Sequence, residues 1–331
     1  MITIITRIGL VFGLLLLIGL VLWQGALQII SILADSGWAM LWIPLVWFPC
    51  LFPAAQAWRL LFERSEAPRF LHAFMAIWLA RSVNNSLPVA NIGGEIVKAR
   101  LINIWGCKGT TATSSVIVDK TVQIVSIIVW GLVGVALLLI LSIENQIALI
   151  ALAGMTVLTL CTVGLFHFQR AGMFSILVKL GGKLVKTDGW EGIRVSAKEV
   201  DNEVQLMYQR RKRLRLAVVL RTLALIMQSG EVWLACYLLG HPIGIPESVM
   251  LKSLTSTLSD VAFVVPNAYG IQEGAFILLG GLVGLTPDVS LAVSLVLRLR
   301  DLILDPPGLI ALHHIESKRF LSKPRQSFSQ N

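Results

Sequence analysis

The stretch NNSLPVANIGGEIVKARL, from Asn84 to Leu101, places asparagines, a proline, two adjacent glycines and a glutamate inside an otherwise apolar chain. Hydrophobic residues make up 56% of the 331 residues, charged residues only 14%, and the mean hydropathy is +0.77. Such a composition predicts an integral membrane protein. Within hydrocarbon, an irregular polar segment is tolerated only where protein or a water-filled cavity surrounds it. The stretch therefore predicts an interrupted helix that lines the protein interior.

Apolar runs long enough to cross about 30 Å of hydrocarbon predict six spanning helices. They begin near Ile8, Trp38, Ala112, Ile147, Leu216 and Val289. Two further apolar segments, residues 70–105 and 248–285, are broken by Pro, Gly, Asn and Glu, and we interpret them as re-entrant helical hairpins. The first run continues past Trp23 without a convincing cleavage site, so we interpret it as a retained helix. The predicted fold is all-α, a single polytopic membrane domain over residues 1–331.

Lysine and arginine residues predict the orientation, because positive residues accumulate in cytoplasmic loops. The basic segments are residues 59–69, the flanks of the first hairpin at Lys98, Arg100 and Lys108, the loop 170–215 and the tail 314–331. All of them fall on one side of the predicted topology, whereas the segments around Asp35, Glu144 and His241 contain no lysine or arginine. We therefore expect both termini, including the basic tail, in the cytoplasm.

The loop 170–215 is predicted to be basic and amphipathic. Apolar residues recur there at helical spacing among charged ones, at Ile193, Ala197, Val200, Val204 and Met207, which predicts a helix lying on the membrane or against the bundle. Roughly 45 residues are too few for an independent core with an active site. The basic cluster 210–215 is interpreted as a topology anchor, with attraction to anionic lipid headgroups as the alternative.

Three classes of function are not indicated by the sequence. The net charge of +9 does not predict nucleic-acid binding, because no basic soluble module accompanies it. The four cysteines are scattered singly, and only His313 and His314 are close among the histidines, so neither a disulfide framework nor a metal site is predicted. No phosphate loop or nucleophile elbow is present, and we expect no cofactor.

The two hairpins share a pattern of spacing. In each, a proline precedes a glutamate by seven residues and a basic residue follows 25 residues after that glutamate: Pro88, Glu95 and Lys120, then Pro266, Glu273 and Arg298. Three predicted spans separate the hairpins, so the second enters the membrane from the side opposite to the first. The pattern therefore predicts an inverted repeat, an architecture in which broken helices of transporters meet near the membrane midplane.

Backbone at the breaks is a candidate anion site. The first N–H groups of a half-helix have no carbonyl partner and its dipole is positive, so Gly93, Gly94 and Gly270 could let an anion approach the backbone. Side chains that share a helical face could line the same cavity: Arg81 with Asn84 and Asn85, Asp119 with Gln123, Arg298 with Asp301 and Asp305, and Gln228 with Glu231.

Structural roles are the alternative for these same residues. Glycine and proline also serve close packing or kinks in membrane helices, and Asp119 and Arg298 could simply form stabilising ion pairs. Charges within spans cost roughly 2.5 to 3.5 kcal/mol each on insertion scales. Their concentration in the two hairpins and the neighbouring helices therefore favours a functional interior.

Several motifs resemble a known family. They are NNSLPVANIGGEIVKARL, SSVIVDKTVQ, GEVWLACYLLG, VVPNAYGIQEGAFILLGGLVGL and SLVLRLRDLILDPPGLIAL, between about residues 80 and 311. They are similar to the flippase-like membrane family that includes the transmembrane part of lysylphosphatidylglycerol synthases, and most closely to its members associated with hopanoid biosynthesis. The resemblance implies a bacterial inner-membrane protein that moves lipids between leaflets or toward export.

The family motif carries over to individual positions of this chain. They are Asn84, Pro88, Gly93, Gly94, Glu95, Asp119, Pro266, Gly270, Gln272, Glu273, Arg298 and Asp301. The chain departs from the family pattern at Asn267, where a glycine is expected after the proline. We also expect no C-terminal aminoacyl-transfer domain, so the resemblance does not imply transfer of lysine to lipid.

We therefore predict a lipid translocase whose substrate is a membrane lipid, with a hopanoid suggested by the resemblance alone. Arg81, Lys120 and Arg298 would bind an anionic or hydroxylated headgroup. Glu95, Asp119, Glu273 and Asp301 would orient these cations or relay protons; Asn84, Asn85, Pro88, Gly93, Gly94, Pro266, Asn267, Gly270 and Gln272 complete the candidate site. The alternatives are a membrane scaffold for lipid-biosynthesis enzymes and an intramembrane lipid-modifying enzyme.

Overall fold

The computed structural model describes residues 37–86, 92–141, 145–173, 175–176, 190–261 and 265–322. Within these ranges the chain is helical and contains no strand, which confirms the all-α prediction. The span predicted from Ile8 and the candidate residue Pro88 lie outside the described residues, as does the tail beyond residue 322.

Eleven α-helices are labelled in the described ranges. They are α1 (Trp42–Trp47), α2 (Leu51–Arg59), α3 (Phe70–Ser86), α4 (Gly93–Ile104), α5 (Gly109–Ile140), α6 (Asn145–Arg170), α7 (Trp190–Gln209), α8 (Arg211–Leu238), α9 (Ile245–Val261), α10 (Ile271–Gly280) and α11 (Pro287–Ser322). Short 3₁₀ helices precede α1 at Gly37–Leu41, join α1 to α2 at Phe48–Cys50, and lie at Pro266–Ala268 and Gly281–Val283.

Four helical segments are long and apolar enough to cross a membrane: Gly37–Arg59, Gly109–Ile140, Leu152–Arg170 and Arg211–Leu238. They correspond to the second, third, fourth and fifth predicted spans. The first of them is not a straight helix, because Pro49 has no N–H to donate and the chain forms a 3₁₀ turn there. The helix α5 has 32 residues and is about 48 Å long, so it extends beyond the hydrocarbon layer.

The helix α11 contains the sixth predicted span but differs from the others in composition. It is 36 residues long and continues through Pro306 and Pro307. Arg298, Arg300 and Asp301 lie within four consecutive residues of it. Its length suffices for a span, whereas its charge content requires that these side chains face protein partners.

Each predicted hairpin is formed by two packed helices. Residues 70–105 form α3 and α4, and the second hairpin is formed by α9 and α10 with the 3₁₀ turn Pro266–Ala268 near its tip. The helices α4 and α10 have 12 and 10 residues, so they are only about 18 and 15 Å long. Neither can cross the hydrocarbon by itself.

The hairpins begin at opposite ends of α5. In the first, the ring of His72 stacks on that of Trp105 at 4.6 Å between centroids, so both outer ends of this hairpin lie beside the start of α5. In the second, the first turns of α9 share an apolar cluster with Leu138, near the end of α5. The two hairpins are nevertheless in contact, because α3 packs against the 3₁₀ turn Pro266–Ala268. The re-entrant inverted repeat stays a prediction, and the opposite starting ends of the two hairpins are compatible with it.

The end of the bundle at which α5 begins is named the basic end. The guanidinium of Arg213 donates to the carbonyl oxygen of Phe62 at 2.8 Å, and Lys108 lies 3.5 Å from Glu66, so the 60–69 loop, the α4–α5 turn and the start of α8 are neighbours there. The helix α7 packs against α5 with Val200 and Val204 buried. The amphipathic segment thus covers the bundle at this end.

Candidate functional site

The tip of the first hairpin is held by a side chain of α3. The backbone N–H of Gly94 donates to Oδ1 of Asn84 at 2.7 Å. A Cβ atom at position 94 would lie 2.2 Å from the carbonyl oxygen of Ala80, so only glycine permits this approach of α4 to α3. Gly93 is the first residue of α4. An anion at the Gly94 N–H would have to displace Asn84, a constraint that spacing alone did not reveal.

The second tip has an analogous bond made by its own glutamate. The N–H of Gly270 donates to Oε2 of Glu273 at 2.7 Å. The preceding 3₁₀ turn begins at Pro266 and contains Asn267 and Ala268, whose φ angles are +51° and +47°. This is the left-handed region that favours glycine and tolerates asparagine. Asn267 therefore fits the position at which the family pattern leads one to expect glycine.

The first cluster of charges lies between α4, α5 and α8. Asp119 is fully buried and accepts from Lys98 at 2.6 Å and from Arg221 at 2.7 Å. Lys98 also lies 2.7 Å from Glu95, and Lys120 lies 3.6 Å from that same glutamate. Because Asp119 neutralises two cations, it is the central charge of this cluster.

The side chain of Lys98 does not lie where the sequence pattern predicted. Its position beside the first hairpin predicted a topology signal on the cytoplasmic side. Instead its side chain is only 3% exposed and turns inward to Asp119 and Glu95. Arg100 does lie on the surface, where it pairs with Glu316 of α11.

The second cluster lies between α3, α8, α9 and α11. Arg81 bridges Asp301 at 2.5 Å and Asp305 at 2.8 Å, and Asn85 donates to Asp305 at 3.0 Å. Arg300 bridges Asp301 and Glu231. The predicted face of α11 formed by Asp301 and Asp305 is therefore occupied by cations.

Two further contacts complete this second cluster. Lys252 of α9 lies 2.8 Å from Glu231. The guanidinium groups of Arg81 and Arg300 lie 4.1 and 4.8 Å from the ring of Trp47, within the range of cation–π attraction. The second cluster thereby links the first hairpin to α1, α8, α9 and α11.

The third cluster fixes the tip of the second hairpin. Arg298 donates to Glu273 at 2.8 Å and to the carbonyl oxygen of Asn267, also at 2.8 Å. Its guanidinium lies 4.7 Å from the ring of Tyr269, and Gln272 donates to Ser294 of α11 at 3.1 Å. Arg298 thus connects α11 to the 3₁₀ turn Pro266–Ala268 and stabilises that turn.

The repeated spacing of 25 residues corresponds to two real pairs, Glu95 with Lys120 and Glu273 with Arg298. The pairs differ in exposure. The Arg298 side chain is 9% exposed, whereas that of Lys120 is 44% exposed. A ligand could reach Lys120 without disrupting helix packing. Arg298, in contrast, uses its hydrogen bonds to stabilise the tip of the second hairpin.

The structure brings together most of the predicted site residues and adds several that the sequence reasoning left out. The additional charged residues are Lys98, Arg221, Lys252 and Arg300, which pair with Asp119, Glu231 and Asp301. Asp305 and Glu231, which the sequence placed on polar helix faces, also belong to the second cluster. A signal was available for Arg221, since it is a cation inside a predicted span. Its partner Asp119, however, lies 102 residues away in sequence, so no local pattern could supply the pairing.

Asp260, near the end of α9, is a further accessible charge. Asp260 is exposed. Arg81 and Glu95 are also partly accessible, at 19% and 17% of their side-chain surface. Accessible groups of both signs therefore lie beside the hairpin tips, among fully buried ion pairs that hold the helices in place.

Comparison with known proteins identifies the family. The family described as the lysylphosphatidylglycerol synthase TM region matches residues 10–305, a range that contains all three charged clusters and both hairpins. Neither a search of curated proteins nor a search of solved structures found a match. Because the matched range covers most of the 331 residues, the chain belongs to the lysylphosphatidylglycerol synthase TM region family of membrane proteins.

Proposed function

We propose that the protein is a lipid translocase, in which a polar headgroup crosses the membrane beside the hairpin tips while the apolar part of the lipid stays in the bilayer. One observation carries this proposal. Two hairpins of short helices start from opposite ends of α5, and α3 of the first contacts the 3₁₀ turn of the second. Charged side chains from seven helices form ion pairs around them. A purely structural membrane helix bundle has no need of so many costly charges.

Lys120 is the group proposed to meet the headgroup first. Its side chain is 44% exposed and its ammonium lies 3.6 Å from Glu95, a long and weak ion pair. A phosphate or hydroxyl oxygen can replace that carboxylate at little cost. Arg81 is held more firmly by two carboxylates and is suited to a second contact farther along the path.

Glu95 is proposed to return Lys120 to its resting pair after the headgroup leaves. Because Glu95 also contacts Lys98 at 2.7 Å, it remains paired while Lys120 binds substrate. The remaining carboxylates, Asp119, Glu273 and Asp301, neutralise cations that would otherwise trap an anionic headgroup. A translocase needs such a balance, since a site that binds too tightly does not release.

The membrane setting is part of the proposal. The basic end is assigned to the cytoplasmic side of a bacterial inner membrane, because basic residues accumulate there. The family description supports a lipid as the substrate class. Within that class, the resemblance to proteins associated with hopanoid biosynthesis suggests a hopanoid or another polar-headed lipid.

The test measures lipid movement in proteoliposomes. Fluorescent phosphatidylglycerol, an anionic and hydroxylated probe, and fluorescent phosphatidylcholine are reduced from outside with dithionite, and rates are normalised to folded protein. We expect Lys120→Gln and Glu95→Gln to slow phosphatidylglycerol movement about tenfold, because each removes a charged hydrogen-bond partner worth roughly 1.5 kcal/mol or more. Both variants should retain normal abundance and elution.

Matched controls come from an exposed ion pair at the basic end. Arg100→Gln and Glu316→Gln remove one cation and one anion away from the tips and should leave the rate unchanged. The double variant of Lys120 and Glu95 should be less impaired than the product of the single effects, since the two groups share one pair. A wild-type protein that moves neither probe, nor an amino-bearing or hopanoid probe, faster than empty liposomes would reject transport in favour of a scaffold.

A further inference from the structure

A second polar region lies where α6 and α7 end and α8 begins. A cavity of about 740 Å³ is lined by Phe166 and Arg170 of α6, Tyr208 and Gln209 of α7, and Arg211, Leu214 and Arg215 of α8. Its size is within the range of small-ligand sites. The cavity therefore joins three arginines from two helices around an aromatic wall.

The three arginines of the cavity differ from their neighbours in their partners. Among the described side chains, no carboxylate lies within 4.0 Å of the guanidinium of Arg170, Arg211 or Arg215. The neighbouring Arg210 and Arg213 behave differently, since they bond to Glu63 and to the carbonyl oxygen of Phe62. The cluster thus contains two arginines that tie α8 to a loop and a separate set that faces the cavity.

The aromatic wall of the cavity, formed by Phe166 and Tyr208, is held by contacts with neighbouring side chains. The rings of Phe166 and Tyr208 meet edge to face at 4.8 Å between centroids, and the guanidinium of Arg170 lies 5.6 Å from the Phe166 ring. The Tyr208 hydroxyl is bonded to Thr121 and Gln169 beneath it. The aromatic wall is therefore held in place by these contacts, and the arginines surround it.

Apolar stripes lead from this cavity toward the middle of the bundle. The helix α6 ends at the cavity and α8 begins there, and both pack on α5. Exposed apolar residues precede the cavity on α6 at Val157, Leu160 and Val163, and follow it on α8 at Leu216, Val219 and Leu223. A ligand with a negative headgroup and two long apolar chains complements both the charge and the stripes.

We propose that this cavity binds the phosphate headgroup of an anionic phospholipid of the surrounding leaflet, with its acyl chains along α6 and α8. Guanidinium groups suit the task because they bind phosphate oxygens in a bidentate manner. Basic pockets between membrane helices recognise acidic headgroups by the same chemistry. The site shares no residue with the proposed transport path, and its proposal does not depend on that path.

The test is lipid binding to the delipidated full chain by native mass spectrometry. The probes are phosphatidylglycerol and phosphatidylcholine with identical acyl chains, and inorganic phosphate. We expect the first phosphatidylglycerol to bind more tightly than phosphatidylcholine. The triple variant Arg170→Gln, Arg211→Gln and Arg215→Gln should weaken phosphatidylglycerol binding about a hundredfold, since each basic residue contributes roughly fivefold, and should abolish the preference.

A matched triple variant removes the same charge elsewhere. Arg64→Gln, Arg69→Gln and Lys198→Gln change exposed cations that do not line the cavity, and binding should change by less than about threefold because such charges are screened. Equal weakening in this control would overturn the proposal, since it would indicate diffuse surface charge. Inorganic phosphate binding as tightly as the lipid would also overturn it.

Folding is checked by size-exclusion chromatography before binding is measured. The three cavity arginines are exposed, so the triple variant is expected to elute as the wild type does. If it does not, the single variants are measured instead, and each should weaken phosphatidylglycerol binding about fivefold. Unchanged binding in all three single variants would reject the site.

Discussion

Replacing Asp119 with asparagine should destabilise the protein more than most single substitutions that preserve shape. Asp119 is fully buried and accepts hydrogen bonds from Lys98, Arg221 and Gln123. Asparagine has almost the same shape but no charge. The substitution therefore leaves two cations inside the bundle with one negative charge fewer.

The magnitude follows from the remaining partners. Lys98 keeps its contact with Glu95 at 2.7 Å, so part of its stabilisation survives. Arg221 loses the one carboxylate to which it is bonded among the described residues. Breaking a buried pair by removal of one partner costs about 3 to 5 kcal/mol. Because the Lys98–Glu95 contact survives, we expect the free energy of unfolding to fall by about 3 kcal/mol, the lower end of this range.

The assay is reversible unfolding in mixed micelles, in which sodium dodecyl sulfate is titrated and helix content is followed by far-ultraviolet circular dichroism. Glu316→Gln is the control, because it breaks an exposed pair with Arg100, worth at most about 1 kcal/mol. Adding Arg221→Gln to Asp119→Asn should recover at least about 1 kcal/mol relative to the sum of the single losses, since the two groups are directly coupled.

Two results would refute this reasoning. The first is a loss in Asp119→Asn that does not exceed the loss in Glu316→Gln, because burial would then confer no added cost. The second is strict additivity of Asp119→Asn and Arg221→Gln, because the two side chains would then not form the pair that their 2.7 Å separation describes.

Three further outcomes are expected. Gly94→Ala should prevent normal folding, because its Cβ would lie 2.2 Å from a backbone oxygen of α3, whereas Gly274→Ala has open space and should fold normally by size-exclusion chromatography. Burial raises the pKa of the Cys107 thiol to about 11, so its thiolate is scarce at neutral pH. The rate of its alkylation, measured by mass spectrometry, should therefore increase about tenfold per pH unit between pH 8 and 10. A pH-independent rate would contradict this. Cysteine introduced at His241 should react with an impermeant thiol reagent in spheroplasts and cysteine at Arg64 should not; the reverse pattern would invert the proposed orientation.

Much of the architecture could be predicted because it depends on local composition. The apolar runs predicted helices at the second to sixth spans, and Pro, Gly and Asn marked where the two hairpins break. The number of spans between the breaks predicted hairpins that start from opposite ends. These features follow from the solvent that a segment can tolerate and from the length of helix needed to cross it.

The spacing of 25 residues also predicted two real ion pairs, Glu95 with Lys120 and Glu273 with Arg298. It did so because each pair lies within one unit of hairpin and following helix. Their unequal exposure could not be read from the same pattern. Exposure depends on how the neighbouring helices are rotated and packed, and the sequence pattern is the same in both units.

The sequence by itself determined a helical membrane protein with two broken, oppositely directed hairpins, because hydropathy and helix-breaking residues act over short stretches of chain. Only the tertiary structure decided that Lys98 turns inward, that Arg221 pairs with Asp119, and that Asn84 occupies the N–H of Gly94. A charged side chain in a low-dielectric interior takes whichever opposite charge the packing brings within reach. Since that partner can lie 102 residues away, as for Arg221, the choice is made by the fold and not by spacing along the chain.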